Sequence, residues 1–358
     1  MLRTLDLFCG GGGSSWGAKA AGAEIAFGID AWDLATKTFK ANFAGADTLT
    51  TTLDENSGPE LLPSLGKIDL ILASPECTNH TCAKGSRPRD ERSRGTARYV
   101  VTFASELRPR WIVIENVIHM RTWRGYRPLI RDLEKLGYNV LPQILDASDF
   151  GVPQTRRRLF LLCDRDGVPR PVVHSGVTSG TAASHVISWS EEWQSKPLRT
   201  PKRAPDTVAR AKRAISVLGK GRPFLVVYYG TDGSGGWQPV DRPLRTLTTL
   251  DRFGLVTWDG NVPMLRMLQV PELRRAMGLD ESFVLPHGTR RDQIKLLGNG
   301  VCPPVMEAVV RSLTNLDGAS KSRELFRPGA RAVGSPWGQC DLELSPASNL
   351  FANKSSIK

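Results

Sequence analysis

A few side chains in this 358-residue sequence have both the type and the spacing to do chemistry. The run Asp6-Leu7-Phe8-Cys9-Gly10-Gly11-Gly12-Gly13 places glycines directly after a short apolar stretch, and such a turn lets a ligand approach the backbone closely. Asp30 closes a second apolar stretch, where a carboxylate can accept the hydroxyls of a ribose. These two features fit a nicotinamide cofactor or S-adenosylmethionine equally well, and they also fit a tight strand-to-helix turn that binds nothing. Cys77 follows the apolar run KIDLILA, and a thiol there is either a nucleophile or a buried structural sulfur. Glu115 ends the run RWIVIE and is either a proton donor or an exposed strand-end carboxylate. Arg156 and Arg158 alternate onto one side of a strand, as anion contacts or as a solvated basic face.

The elements that must position these groups are legible as hydrophobic runs. Residues 3–9, 24–29, 67–73, 110–115, 139–145 and 158–163 read as strands. Residues 15–21, 35–43 and 98–107 have helical character, as does the spacing of Leu129, Leu133 and Leu136 before Gly137, a C-cap. This β-α alternation predicts an α/β fold with a doubly wound, mostly parallel sheet. The pattern changes after Asp164. From there Trp189, Trp193, Phe224, Tyr228, Tyr229 and Trp237 are interleaved with Lys202, Arg203, Arg210, Lys212, Arg213, Lys220 and Arg222, which predicts a second, smaller domain. Helical spacing returns over 265–277 and again over 303–316. The expected division is 1–164 catalytic, 165–260 for the smaller domain, 261–316 returning to the first, and 317–358 a partly disordered tail rich in Ser, Gly and Pro.

Lys and Arg number 48 against 36 Asp and Glu, a formal charge of +12 that points to a polyanionic partner. The six cysteines contain no Cys-x-x-Cys pair, and Cys77, His80 and Cys82 lack a second ligand pair at zinc spacing, so no metal site is expected. Scattered cysteines in a chain of this length also argue against a disulfide framework. The first residues reach glycine too early for a secretory leader, and no apolar stretch approaches the ~20 residues of a membrane span. The expectation is a cytoplasmic protein with no membrane association.

Six motifs in order narrow the choice of ligand. Asp6 to Gly13, Ser74-Pro75-Glu76-Cys77, Glu115-Asn116-Val117, Gln154-Thr155-Arg156-Arg157-Arg158, the run from Arg242 to Thr248, and Gly298-Asn299-Gly300-Val301 together resemble the cytosine-carbon-5 DNA methyltransferase family of bacteria and phages. The resemblance covers residues 1 to about 316. It implies S-adenosyl-L-methionine as cofactor, bound by Phe8, Cys9, Gly10, Gly12, Asp30, Trp32, Pro75, Asn299 and Val301. It implies double-stranded DNA as partner, touched by Lys84, Arg87, Arg89, Gln154 and Thr248, with Gln154 also supporting the active-site loops. It assigns catalysis to Cys77, Glu115, Arg156 and Arg158. Carbon 5 of cytosine is a poor nucleophile, and a thiolate added at carbon 6 makes it reactive. A neutral ring resists that addition, so an acid must protonate ring nitrogen 3, which is the role implied for Glu115. The carbon is inaccessible in a stacked duplex, so the base is flipped out. Residues 84–98, carrying Lys84, Arg87, Arg89, Arg92, Arg94 and Arg98, read as a basic loop that closes over it.

Three departures from the family pattern stand out. Glu76 takes the place of a proline, and Thr78 that of a glutamine. Ala31 stands where a large apolar residue usually covers adenine, and Trp32 is the substitute. No acid follows a strand where the adenine amino group is usually bound, Asp54 being the nearest candidate. The weaker readings are a tRNA cytosine-5 methyltransferase of the same fold, a catalytically inactive DNA-binding homologue, and a nicotinamide oxidoreductase, which leaves the later motifs unexplained. A monomer with a cognate restriction endonuclease completes the expectation.

Overall fold

The computed structural model describes residues 2–63, 65–76, 95–174, 181–190, 192–229 and 235–314. Its main sheet is built from β1 (Leu2–Leu7), β2 (Ala23–Asp30), β3 (Asp47–Thr50), β4 (Leu70–Ala73), β5 (Trp111–Asn116), β6 (Asn139–Asp146) and β7 (Arg157–Asp164). Their order across the sheet is β3-β2-β1-β4-β5-β7-β6. β1, β2, β3, β4 and β5 pair in parallel, while β7 runs antiparallel to both β5 and β6. The antiparallel step follows from the short link between β6 and β7, which leaves no room for a crossover helix.

β4 is the apolar run LILA, buried at all four positions, and successive side chains alternate between faces. Leu70 and Leu72 join one apolar cluster with Val305, Met306 and Val309 of the last helix, α8 (Pro303–Thr314). Ile71 and Ala73 join the other cluster, with Phe103 of α3 (Tyr99–Leu107) and Leu129 and Leu133 of α4 (Tyr126–Lys135). α4 ends as its sequence demands. Gly137 takes φ 92°, and the Gly137 and Tyr138 amides close back on Glu134 and Leu133. Two helices follow the first strands: α1 (Gly13–Ala20) after β1 and α2 (Asp33–Asn42) after β2.

A second, five-stranded antiparallel sheet has the order β10-β9-β11-β12-β8. Its strands are β8 (Lys196–Pro197), β9 (Phe224–Val227), β10 (Trp237–Pro239), β11 (Phe253–Asp259) and β12 (Val262–Met267). One face, with Phe224, Val226, Val256 and Leu265, packs on Ala211 and Ala214 of α5 (Pro205–Leu218). The alternate residues Leu225, Val227, Phe253 and Leu255 belong to the large cluster that also holds α8. Two further helices, α6 (Val270–Ala276) and α7 (Arg290–Asn299), return the chain to the main sheet.

The helix expected over 265–277 is corrected. Residues up to Met267 form β12, paired with β11 around a turn at Gly260, and the helix starts only after Gln269. The Gln269–Glu272 capping box fixes that start, and Glu272 also takes a buried two-pronged contact from Arg266 at 2.7 and 2.8 Å. β3, α5 and α7 have no counterpart among the hydrophobic runs. The 317–358 tail lies outside the described residues, and no helix among the described residues is long and apolar enough to cross a membrane.

Candidate active site

Strand order reverses beside β1: β2 and β3 lie to one side, β4 and β5 to the other. A crevice must open at the carboxyl ends of strands on either side of such a reversal. A cavity of about 360 Å³ lies there, lined by residues that follow β1, β2, β3, β4 and β5 and by the end of α7. The loop after β1 is shaped for close approach. Phe8 takes φ 60°, rare for a residue with a side chain, and Gly10 takes φ 53°. Gly12 takes φ 98°, and a Cβ there would come within 2.5 Å of the Phe43 ring, so only glycine fits.

Asp30 ties the β1 and β2 loops together. One carboxylate oxygen accepts the Gly10 amide at 2.9 Å and the other the Trp32 amide at 2.8 Å. Burial pushes the Asp30 carboxyl up from its ordinary range, and those amides together with the Lys295 ammonium pull it back. The Lys295 Nζ sits 4.3 Å from the centre of the Trp32 ring, and both residues line the cavity. Phe8, Cys9 and Gly10 also line it, as do Pro75, Asn299 and Val301. Burial holds the Cys9 thiol well above its usual range, with the Asp6 and Asp30 charges adding to that effect, so it stays a neutral wall.

At the other end lies Glu115, which is 6% exposed. Its Oε1 stands 3.2 Å from Nε of Arg158, on the neighbouring strand β7. Burial raises the Glu115 carboxyl, and Arg158 and then Arg156 oppose that rise. The next residue, Asn116, donates from its side chain to the Pro75 carbonyl at 3.1 Å and accepts the Val117 amide at 2.8 Å. It thereby anchors the loop that leads from β4 through Glu76, and Glu76 is exposed at the cavity lining. Ser14 and Ser74 meet across the same loop at 3.2 Å.

The other residues singled out from sequence divide sharply. Arg156 lines the cavity, but its guanidinium donates to the carbonyls of Leu247 (3.0 Å), Gly298 (2.8 Å) and Gly300 (2.8 Å). It straps the run ending at Thr248 to the end of α7. Gln154, expected at the DNA and as a support for the active-site loops, is fully buried and has only the second place. Its amide nitrogen donates to the Ala276 carbonyl at 3.0 Å, and its oxygen accepts the Leu247 amide at 2.7 Å. An uncharged polar side chain satisfied on both sides inside the core cannot meet a duplex, so its place is structural. Thr248 is partly exposed, exchanges hydrogen bonds with Leu250 at 3.3 Å, and does not line the cavity. Its backbone presses on Gly298, where a Cβ would come within 2.3 Å of the Thr248 carbonyl oxygen. Asp54 is corrected too: its carboxylate accepts the Asn56 amide and the Ser57 hydroxyl in a local turn and stays off the cavity lining. Thr51, Thr52 and Leu53 line that part of the cavity instead. Cys77, Thr78, Lys84, Arg87 and Arg89 lie outside the described residues.

Lys295, Leu296, Ser14 and the Thr51–Leu53 segment are cavity residues that the hydrophobic runs do not reveal. For Lys295 a signal exists. Thr289 and Asp292 form a capping box, Thr289 accepting the Asp292 amide while Asp292 accepts the Thr289 amide at 2.9 Å, and their spacing marks the start of α7.

The family model of C-5 cytosine-specific DNA methylase matches residues 2–315. The type II methyltransferase M.AgeI of Thalassovita gelatinovora is 31% identical over 190 residues, which are 50% of this chain and 44% of that protein. The type II methyltransferase M.HindV of Haemophilus influenzae is 33% identical over 164 residues, 45% of this chain and 52% of that one. The chain therefore spans about half the length of these relatives. Among solved structures, a DNMT2 of Spodoptera frugiperda superposes with a TM-score of 0.65 at 18% identity, covering 88% of this chain and all of the other, a likeness of fold.

Proposed function

The chain belongs to the C-5 cytosine-specific DNA methylase family, and from that premise we propose that it methylates carbon 5 of a cytosine in double-stranded DNA with S-adenosylmethionine as donor. One observation carries the reading: a single cavity is lined both by Asp30 with the β1 loop and by Glu115 with Arg158, so a nucleoside cofactor and a flipped base would meet within it.

The cavity suits the cofactor. Asp30 offers carboxylate lone pairs to ribose hydroxyls, Gly10 opens the backbone to close approach, and Phe8, Ile29, Leu53 and Val301 provide apolar walls. When bound, S-adenosylmethionine supplies an electrophilic methyl group on a sulfonium. On the base, Glu115 gives its proton to ring nitrogen 3 while the Cys77 thiolate bonds to carbon 6, and the electron pair displaced from the ring makes carbon 5 nucleophilic. Arg158 holds the Glu115 carboxyl in position and offers donors to the base oxygen. Once carbon 5 carries the methyl group, water takes the carbon 5 proton, the electrons restore the carbon 5–carbon 6 double bond and expel Cys77 as thiolate, and ring nitrogen 3 returns its proton to Glu115. Arg156 serves by positioning the α7 end, which carries Asn299 and Val301, against the loop closed by Thr248.

Residues 165–260 are then read as the segment that chooses the DNA sequence, with 84–98 as the basic loop over the flipped base. A cytoplasmic monomer acting beside a cognate restriction endonuclease fits the type II names of the relatives. The test is transfer of labelled methyl groups to mixed-sequence duplex DNA and to tRNA side by side, followed by bisulfite sequencing. Label in 5-methylcytosine of DNA is expected, and Cys77→Ala should abolish it while duplex binding survives. Label confined to tRNA, or full activity in the alanine variant, would overturn the proposal.

A further inference from the structure

Resting on that reading of the cavity, we propose that Lys295 is a positioning residue for the adenosine end of the cofactor, holding the Trp32 ring in place while countering the charge of Asp30. Two contacts join these residues. The Lys295 ammonium lies on the Trp32 ring, 4.3 Å from its centre. The Trp32 amide donates to Asp30 at 2.8 Å. All three residues line the same cavity, and the Lys295 charge opposes the upward push that burial gives the Asp30 carboxyl. Asp30 is a half-buried carboxylate whose two oxygens accept backbone amides, and a cation nearby offsets part of the cost of sheltering its charge.

The fold fixes the backbone at Lys295, while the side chain itself is exposed. It sits on α7, whose capping box fixes the first turn and whose neighbours Ile294, Leu296 and Leu297 are buried in the core. A cation over an indole face is one of the more favourable pairings of its kind, and arginine forms it as well as lysine does. Ala31 has too small a side chain to cover an adenine, which leaves the adjacent Trp32 to present a flat surface. That surface is useful only if its orientation is fixed, which is what a charge on the ring accomplishes. None of the motif residues performs this task.

The experiment compares wild type, Lys295→Met and Lys295→Arg. The affinity for S-adenosylhomocysteine is measured by calorimetry, and KM for S-adenosylmethionine and kcat on duplex DNA are measured separately. Lys295→Met should weaken S-adenosylhomocysteine binding and raise that KM by about 2- to 5-fold, with kcat nearly unchanged, because only binding-site organisation is lost. Lys295→Arg should restore both to within about 1.5-fold of wild type. The melting temperature of each variant without cofactor should match wild type. Unchanged affinity in Lys295→Met, equal damage in both variants, or a melting temperature that falls in step with affinity would each overturn the proposal. Failure of wild type itself to bind S-adenosylhomocysteine would instead overturn the methyltransferase reading, and this inference with it.

Discussion

Two of the carboxylates that line the cavity, Asp30 and Glu115, are largely sheltered from water and pushed upward by desolvation, yet they are held in opposite ways. Asp30 is gripped by backbone amides from two loops, groups that cannot rotate away or lose their dipoles. Glu115 is held by the side chain of Arg158, a partner that can pivot. Fixed amide donors favour the anion, which suits a site that accepts hydroxyls. A carboxyl whose charge is opposed by burial and supported only by a side-chain cation can keep or release a proton as the reaction requires. Under the proposed function, the difference between a binding carboxylate and a proton-donating one is set by the kind of donor beside it.

Breaking the proton-donating end should have the largest effect. Glu115→Gln keeps shape and hydrogen-bonding capacity but has no proton to deliver, so kcat should fall by about 100- to 10,000-fold with S-adenosylhomocysteine binding intact. Because burial raises the Glu115 carboxyl, wild-type kcat should decline on the alkaline side, at a pH above the ordinary glutamate range. A variant with near-normal kcat would sink the contrast between the two ends.

Arg156 lines the same cavity, and Arg156→Met strands three carbonyls, two of them buried with the guanidinium. Chemical denaturation should register a loss of about 2–4 kcal/mol, and both cofactor affinity and kcat should suffer. An effect on kcat alone, without lost stability, would show that Arg156 is a substrate contact after all.

Asp30→Ala should raise KM for S-adenosylmethionine by about 10- to 100-fold while leaving kcat nearly unchanged. If kcat fell and KM did not, the division of labour would have to be reversed.

The smallest effect is expected from Asp6, behind the β1 loop. Burial lifts its carboxyl to about 7 from an ordinary 3.8; the Ser15 hydroxyl pulls it down, and the Asp30 charge adds to the rise. A folded value above the unfolded one means that the neutral form is favoured by folding. Its contribution to stability is complete below about pH 4 and is lost as pH rises through about 7. Between pH 5 and 7 the loss should reach about 2 kcal/mol, and Asp6→Asn should flatten that slope. A slope equally steep in the variant would assign it to another group.

Much of this site is legible in the amino-acid order. The apolar runs of β1, β4 and β5 carry enough buried side chains to declare themselves strands, and Phe8, Asp30, Pro75, Glu115, Asn299 and Val301 fall at strand ends or in matching motifs. β3 escapes because its four residues, DTLT, are short, polar and partly exposed at the sheet edge. α5 and α7 escape because their charged faces dilute the apolar signal, and Lys295 is lost with α7. Gln154 and Arg156 resemble nucleic-acid contacts because their side-chain types allow it. They are tied instead to carbonyls and amides roughly 90 to 145 positions away in sequence.

The sequence alone determined which chemical groups stand at strand ends, since local periodicity and motif spacing act over a few residues. The tertiary structure decided which of those groups face the cavity and which are used up as struts. That choice depends on partners brought together only by folding, such as Arg156 with Gly298 and Gly300, or Lys295 with Trp32. A side chain's function follows from the donors and acceptors left for it after packing, and packing is a property of the whole chain.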